Sequence, residues 1–405
     1  MRGKGEGAIF EDKDRGLWTA TIELPPDPVT GKRRRKTIRR KDKGDLLAER
    51  SRIMLDLDRA GDLPTSSPTL EVWIGIWLTK IAAPRLKPRT LEGYRSSMAQ
   101  YVLPSIGRYR LDKLTPAHVR RVHEAVTEQG LSSTTALQAH RILSKCLTDA
   151  MREGKVSRNV ASLVAAPRRA FTKEKALTAA QAKVFLRHVA TDLSGARWAL
   201  AMLTGMRQGE QLGLTREMVD LDRGVITVAW ALGRVAFQHG CSPTSPCGKS
   251  RGGNCSQRRT QIPAGMEARQ VAGGLWLMRP KSRAGWREVP MTPGLLEIMR
   301  RYLADRGELE PQDLVFIRAN GLPRDPSQDF REWKTLLAAC GLPDVKLHSA
   351  RHSVATLLYE LKVPESTRMA ILGHSSATVT AGYTHVADAQ TREAMLQLGA
   401  LLDAP

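Results

Sequence analysis

At 405 residues the chain exceeds one ordinary domain, and its 41% hydrophobic and 26% charged content is that of a globular protein of two or three domains. The 63 Lys and Arg against 41 Asp and Glu leave a net charge of +22, which favours a polyanionic partner because basic groups on phosphates release condensed counterions. No apolar run reaches membrane-span length, the opening MRGKGEGAIFEDKDRG has no apolar signal core, and five cysteines, an odd number, form no secreted disulfide framework. The expectation is a reducing, cytoplasmic setting, nucleoid-associated in a bacterial host. No basic amphipathic anchor or lipidation motif points to membrane, which leaves DNA or RNA as the partner. The plainer reading of the charge is an arginine-rich protein from a G+C-rich genome.

Residues 1–63 read as a small α+β unit. GAIFEDK, LWTATIEL and KRRRKTIRRK are strand candidates, parted by a turn over 12–16 and by Pro25-Pro26-Asp27-Pro28. Asp45 to Arg59 then spaces Leu46, Leu47, Ile53, Met54, Leu55 and Leu57 as a helix against a sheet. Lys32, Arg33, Arg34, Arg35 and Lys36, continued by Arg39 and Arg40, form the densest basic run. A solvated edge strand accounts for it in part; a ribbon entering a DNA groove accounts better for its sign and density.

After a linker at 61–68, residues 68–165 read as an all-helical bundle. Helices are expected from Thr69 to Lys80, from Thr90 to Val102 with Pro104 ending it, from Thr115-Pro116, and from Ser132 to Arg152. Between 68 and 169 there are 17 Lys and Arg against 7 Asp and Glu, a bias suited to a duplex backbone. A second linker, Ala165 to Arg169, leads to a mixed, mainly helical α/β region over 176–405.

That region carries the chemistry. In Thr204-Gly205-Met206-Arg207-Gln208-Gly209-Glu210, Arg207 and Glu210 are three apart, so a helical turn puts them on one face; alone this is an ordinary surface pair. Arg279 to Pro290 reads as a β-hairpin with Gly285 near the turn and Lys281 at the end of one strand. Leu347-His348-Ser349-Ala350-Arg351-His352 opens a helix with Val354, Leu357 and Leu358 as its apolar positions, and His348 and Arg351 again share a face. Leu372-Gly373-His374 follows, and nine residues after His374 comes Tyr383 in Gly382-Tyr383-Thr384-His385.

Each motif is weak alone, but the ordered set resembles the catalytic signature of tyrosine recombinases, the phage integrase family, across roughly residues 176–390. The upstream layout is similar to integrases of phages and integrative elements, with a small arm-type DNA-binding domain and a helical core-binding domain. The resemblance implies three domains, 1–63, 68–165 and 176–405, acting on double-stranded DNA at core and arm attachment sites. It also implies a homotetramer, with a DNA-bending host factor and an excision factor as further partners.

Cutting and rejoining DNA without an energy source requires the phosphodiester energy to be kept in a covalent bond, which a tyrosine oxygen can hold. By the resemblance Tyr383 is that nucleophile. Arg207 and Arg351 are the forks on the transition-state phosphate, His348 the base or proton relay, and Lys281 the acid for the leaving 5′-oxygen. His374 hydrogen-bonds the scissile phosphate, and Glu210 supports the site. No P-loop or Mg²⁺ carboxylate cluster is evident, so no cofactor is expected. A type IB topoisomerase shares this chemistry and stays open as an alternative, as does a catalytically silent DNA-binding architectural protein.

One segment departs from the family pattern. His239, Cys241, Cys247 and Cys255 fall within 17 residues, in a filler rich in Gly, Ser, Pro and basic residues. They read either as a Cys₃His zinc set or as free thiols in a loose basic insertion, since no Cys-x₂₋₄-Cys spacing is present. The terminal helix, Ala387 to Leu402 with Met395, Leu396, Leu398, Leu401 and Leu402, is open between docking on a neighbouring subunit and packing on its own domain.

Overall fold

Period-two burial builds the first sheet. A computed structural model, describing residues 9–26, 33–60, 67–170, 176–242, 244–279, 286–373 and 387–403, pairs β1 (Ile9–Asp12), β2 (Leu17–Leu24) and β3 (Arg34–Arg40) as antiparallel neighbours in that order. Ala20, Ile22 and Leu24 of β2 and Ile38 of β3 pack on Leu46 and Ile53 of α1 (Lys43–Ala60). β3 is an edge strand, and Arg35, Lys36 and Arg39 on it are exposed. Lys32 lies outside the described residues.

The chain divides into two compact units, Met1–Leu86 with Thr90–Phe171, and Lys87–Arg89 with Thr172–Pro405. The first contains the sheet just described and a separate helical core. α2 (Leu70–Ile76) starts at Thr69, whose Oγ1 accepts the Val72 N–H at 3.3 Å, and widens into a π-helical turn over Trp77–Ala82. α3 (Pro88–Ser97) likewise widens over Met98–Val102 and runs on into α4 (Leu103–Ile106). Pro104 therefore does not end this helix, as its sequence position suggested. It sits at the start of α4, directly after the π-helical turn in which the Leu103 N–H bonds back to the Met98 carbonyl. α5 (Pro116–Glu128) and α6 (Ser133–Arg152) complete the bundle, the latter capped by Ser132. Two indoles fix its interior: Trp77 Nε1 donates to Asp149 Oδ2 at 2.9 Å and Trp73 Nε1 to the Cys146 carbonyl at 3.2 Å.

The second unit begins with α7 (Ala179–Val189), α8 (Ala196–Thr204) and α9 (Gln208–Leu212). Eight short strands follow: β4 (Val219–Asp220), β5 (Val225–Val228), β6 (Ala231–Arg234), β7 (Phe237–Gln238), β8 (Arg259–Thr260), β9 (Ala268–Ala272), β10 (Leu275–Met278) and β11 (Arg287–Pro290). Five helices close the unit: α10 (Pro293–Arg306), α11 (Pro326–Ala339), α12 (His348–Glu360), α13 (Glu365–Leu372) and α14 (Ala387–Asp403). Sequence alone suggested that β10 and β11 pair as a hairpin around Lys281. Instead β10 joins the sheet β6-β10-β9, and β11 joins β11-β5-β4. β5 and β6 follow one another across only Ala229 and Trp230, yet pair with β11 and β10 respectively. Lys281 and Gly285 lie outside the described residues.

α8 is buried along its whole length among Phe185, Trp333, Leu337, Val354 and Leu358. α14 belongs to the same core through Ala394, Met395, Leu398 and Leu402, while Leu396 is exposed. In this chain the tail helix thus packs on its own domain. Among the described residues no helix is long and apolar enough to cross a membrane. Leu398→Ala should cost about 2–5 kcal/mol in urea unfolding, by the same amount at every protein concentration. A loss that grows on dilution would instead place this helix on a neighbouring subunit.

Candidate active site

The site starts at the buried end of α8. Gly205 takes a left-handed φ of +61°, and a Cβ there would lie 2.8 Å from Leu372 Cδ2 and 3.2 Å from Val354 Cβ, so only glycine fits both backbone and neighbours. The turn delivers Arg207 as the residue before α9, in extended conformation with φ −67° and ψ 148°. Arg207 and Glu210 accordingly do not share a helical face, as the three-residue spacing suggested. Glu210 folds back across the helix start and accepts from both the Arg207 N–H (2.9 Å) and its Nη1 (2.8 Å).

Glu210 also accepts from Arg287 Nη2 at 2.9 Å, and both side chains are nearly fully buried. Burial pushes the Glu210 carboxyl up, but Arg287 and then Arg207 outweigh it and hold the pKa below the ordinary 4.5. Each arginine also grips a helix end. Arg207 Nη2 donates to the Gly373 carbonyl (2.9 Å), Arg287 Nε to the Ile371 carbonyl (2.8 Å), and Arg351 Nη1 to the Gly205 carbonyl (3.0 Å). Cations at helix C-termini are favoured by the exposed carbonyl dipoles. Thus α8 and α13 fix the three guanidinium groups, and these in turn tie the Gly205, Arg351 and Gly373 motifs together.

The charges do not balance. Arg351 is 3% exposed, and among the described residues its Nη2 is a buried donor with no hydrogen-bond partner. Burial, then the charges of Arg207 and Arg287, bring its pKa down to about 9, with Glu210 opposing. It is still charged at neutral pH, at a cost that an incoming anion relieves. A cleft of ≈ 400 Å³ opens beside it, lined by Gln208, Gln211, Phe330, Lys346, His348 and Arg351. His348 is exposed at the first turn of α12 and meets His352 edge-on at 4.9 Å between ring centroids.

Behind the turn, Arg197 of α8 and Asp329 of α11 form a fully buried ion pair at 2.8 Å. The Gln208 amide donates to the same Asp329 oxygen at 2.9 Å, and Gln211 links Arg197 to the Met206 carbonyl. These residues hold the loop that carries Arg207. Sequence reading singled out none of Arg197, Asp329 or Arg287, and Lys346 also went unnoticed. Arg287 stands in a stretch with Arg279, Lys281 and Arg283, where nothing local marks one cation as buried.

The structure therefore brings together Arg207, Glu210, His348 and Arg351 and adds Arg287. Lys281, His374 and Tyr383 lie outside the described residues. In the sheet of the first unit, Arg33 and Arg35 share Glu23 at 2.6 and 3.0 Å, and Arg40 pairs with Glu49. Lys36 and Arg39 are exposed with no ion pair among the described residues. Elsewhere, His239, Cys241, Cys247 and Cys255 bring their donor atoms within 4.8 Å of one another.

Comparison with known proteins gives the family and the fold. Residues 264–390 match the Phage integrase family, and residues 69–125 match its N-terminal SAM-like domain, described as Phage integrase, N-terminal SAM-like domain. The integrase of Saccharopolyspora erythraea is 29% identical over 413 residues, covering 95% of this chain and 94% of that protein. The chain belongs to the phage integrase family of tyrosine recombinases. Solved structures agree on the fold of this recombinase. The Tn1549 transposon integrase in complex with transposon right end DNA superposes with a TM-score of 0.60 at 20% identity, covering 82% of this chain and all of that one. A lambda integrase tetramer bound to a Holliday junction gives 0.53 at 17% identity, covering 93% and 97%. The recombinase acts on DNA by site-specific recombination.

Replacing Glu210 by Gln should cost about 3–5 kcal/mol in chemical unfolding, since Arg287 is left buried without its counter-charge. Because the folded carboxyl pKa is depressed, its stabilisation is complete above the unfolded value and is lost as pH falls through the folded one. Wild type should thus lose stability below pH 4.5 along a limb that Glu210→Gln flattens. Equal acid limbs in the two proteins would contradict the ion pairing.

Proposed function

We propose that this recombinase integrates and excises a mobile element, cutting and rejoining DNA through a 3′-phosphotyrosyl intermediate on Tyr383. The observation that carries this reading is the surplus of cations around Glu210, with Arg351 holding a buried donor in reserve beside an open cleft. A phosphodiester whose non-bridging oxygens take up charge in the transition state fits that surplus.

In the proposed step Tyr383 Oη attacks the scissile phosphorus. The bond from phosphorus to the 5′-oxygen breaks as the tyrosyl–phosphorus bond forms, and the 3′-phosphate stays on the protein. The phenol, with an ordinary pKa of about 10, passes its proton towards His348. Lys281 protonates the departing 5′-oxygen. Arg207 and Arg351 hold the non-bridging oxygens with planar, always-oriented donors, and His374 adds a hydrogen bond. Glu210 positions Arg207. A 5′-hydroxyl from the partner strand reverses the step, so the bond energy is conserved without ATP, and neither metal nor nucleotide enters the chemistry.

By the same reading residues 1–63 bind arm sites, 68–165 grip the core site and 176–405 catalyse. A concavity of ≈ 530 Å³ in the helical part of the first unit, lined by Arg85, Arg141, Lys145 and Arg152, supports a phosphate-contacting role there. Four protomers act on two core sites, with a bending protein and an excision factor setting direction.

Tyr383→Phe should bind core DNA as wild type does yet leave no protein–DNA adduct on a denaturing gel after incubation with a nicked suicide substrate. An adduct at wild-type level would move the nucleophile elsewhere. Rapid, sequence-indifferent relaxation of any plasmid by wild type would favour a topoisomerase instead. Lys36→Ala with Arg39→Ala should reduce the salt slope of arm-site binding by about one unit per lost phosphate contact. Core-site cleavage should hold; if cleavage fell while arm binding stood, the assignment of the first sheet would be wrong.

A further inference from the structure

Residues 239–259, leaving β7 and returning in β8, have almost no core of their own. Among those described, Cys255 is the one buried residue, and the two strands are two residues each. A paired ribbon that short is not stable by itself in water. We infer that His239 Nδ1 and the Sγ atoms of Cys241, Cys247 and Cys255 bind one structural Zn²⁺ ion, which stands in for the missing core.

The donors already converge. All four lie within 4.8 Å of one another, with His239 Nδ1 at 3.3 Å from Cys247 Sγ and 3.8 Å from Cys241 Sγ. A tetrahedral ion with Zn–S near ~2.3 Å and Zn–N near ~2.0 Å sets sulfur–sulfur edges of ~3.8 Å and sulfur–nitrogen edges of ~3.5 Å. The observed spacings are those of a site that needs only slight contraction. Three thiolates and one imidazole are ligands that favour zinc, and four protein ligands close the shell, as structural rather than catalytic sites require.

The backbone makes room for the cluster. Gly240 allows the two backbones to meet, since a Cβ there would fall 1.9 Å from the Gln257 carbonyl oxygen, and Gly248 takes φ +68° just after Cys247. Lys249, Arg251, Arg258 and Arg259, exposed around the cluster, offset the single negative charge that three thiolates leave on zinc.

The full chain, purified under reducing conditions, should contain one zinc per chain by mass spectrometry. After exchange with Co²⁺ it should show the thiolate charge-transfer and intense d–d bands of a tetrahedral site. Cys340→Ser should keep the ion and Cys247→Ser should lose it. Trypsin should spare Lys249, Arg251, Arg258 and Arg259 until a chelator is added. Should Cys247→Ser fail to fold, the wild-type zinc content and cobalt spectrum still decide. Zinc well below one equivalent with a featureless cobalt spectrum, or a disulfide among the three cysteines as purified, would overturn the assignment.

Discussion

One carboxylate organises the site. Glu210 accepts three hydrogen bonds, two from Arg207 and one from Arg287, and so fixes the start of α9 and two guanidinium groups at once. With Arg351 in the same pocket, three cations face one anion among the described residues, and burial, then Arg207 and Arg287, draw the Arg351 pKa down to about 9. Electrostatic preorganisation of this kind places the reorganisation cost in folding rather than in the reaction.

The arginines are rigid because helix ends hold them. The carbonyls of Gly205, Ile371 and Gly373 terminate α8 and α13, and each accepts a guanidinium N–H. The buried Arg197–Asp329 pair, with Gln208 and Gln211, fixes the intervening loop from behind. A substitution well away from the cleft, such as one at Asp329, therefore acts on Arg207 through a chain of hydrogen bonds. The proposed Lys281 falls in sequence between β10 and β11, and His374 and Tyr383 between α13 and α14, all three outside the described residues.

Much of this was legible in the sequence, for reasons that differ by element. Alternation in LWTATIEL and helical spacing in Ser132 to Arg152 are local signals, and β2 and α6 form where they point. The Arg207, Glu210, His348 and Arg351 motifs were legible because their order and spacing match a family, not because any one is distinctive. Arg287 was not, since its importance comes from burial against Glu210, a contact 77 residues distant in the chain. The misreading of 279–290 as a hairpin has the same origin. Two strands that look like partners in sequence are claimed by β6 and β5, which no local pattern announces. Pro104 misled for the converse reason, as a helix can carry a proline just past a π-helical turn.

The central claim is that the uncompensated charge at Arg351 exists for one phosphate. Its most direct test is a charge-deletion cycle on core-site DNA, carried in a Tyr383→Phe background so that binding alone is read. Duplexes would carry either the natural phosphodiester or a neutral methylphosphonate at the scissile position. The protein with Arg351 intact should favour the charged duplex by about tenfold or more, and adding Arg351→Met should abolish that preference. Equal discrimination with and without Arg351 would contradict the account.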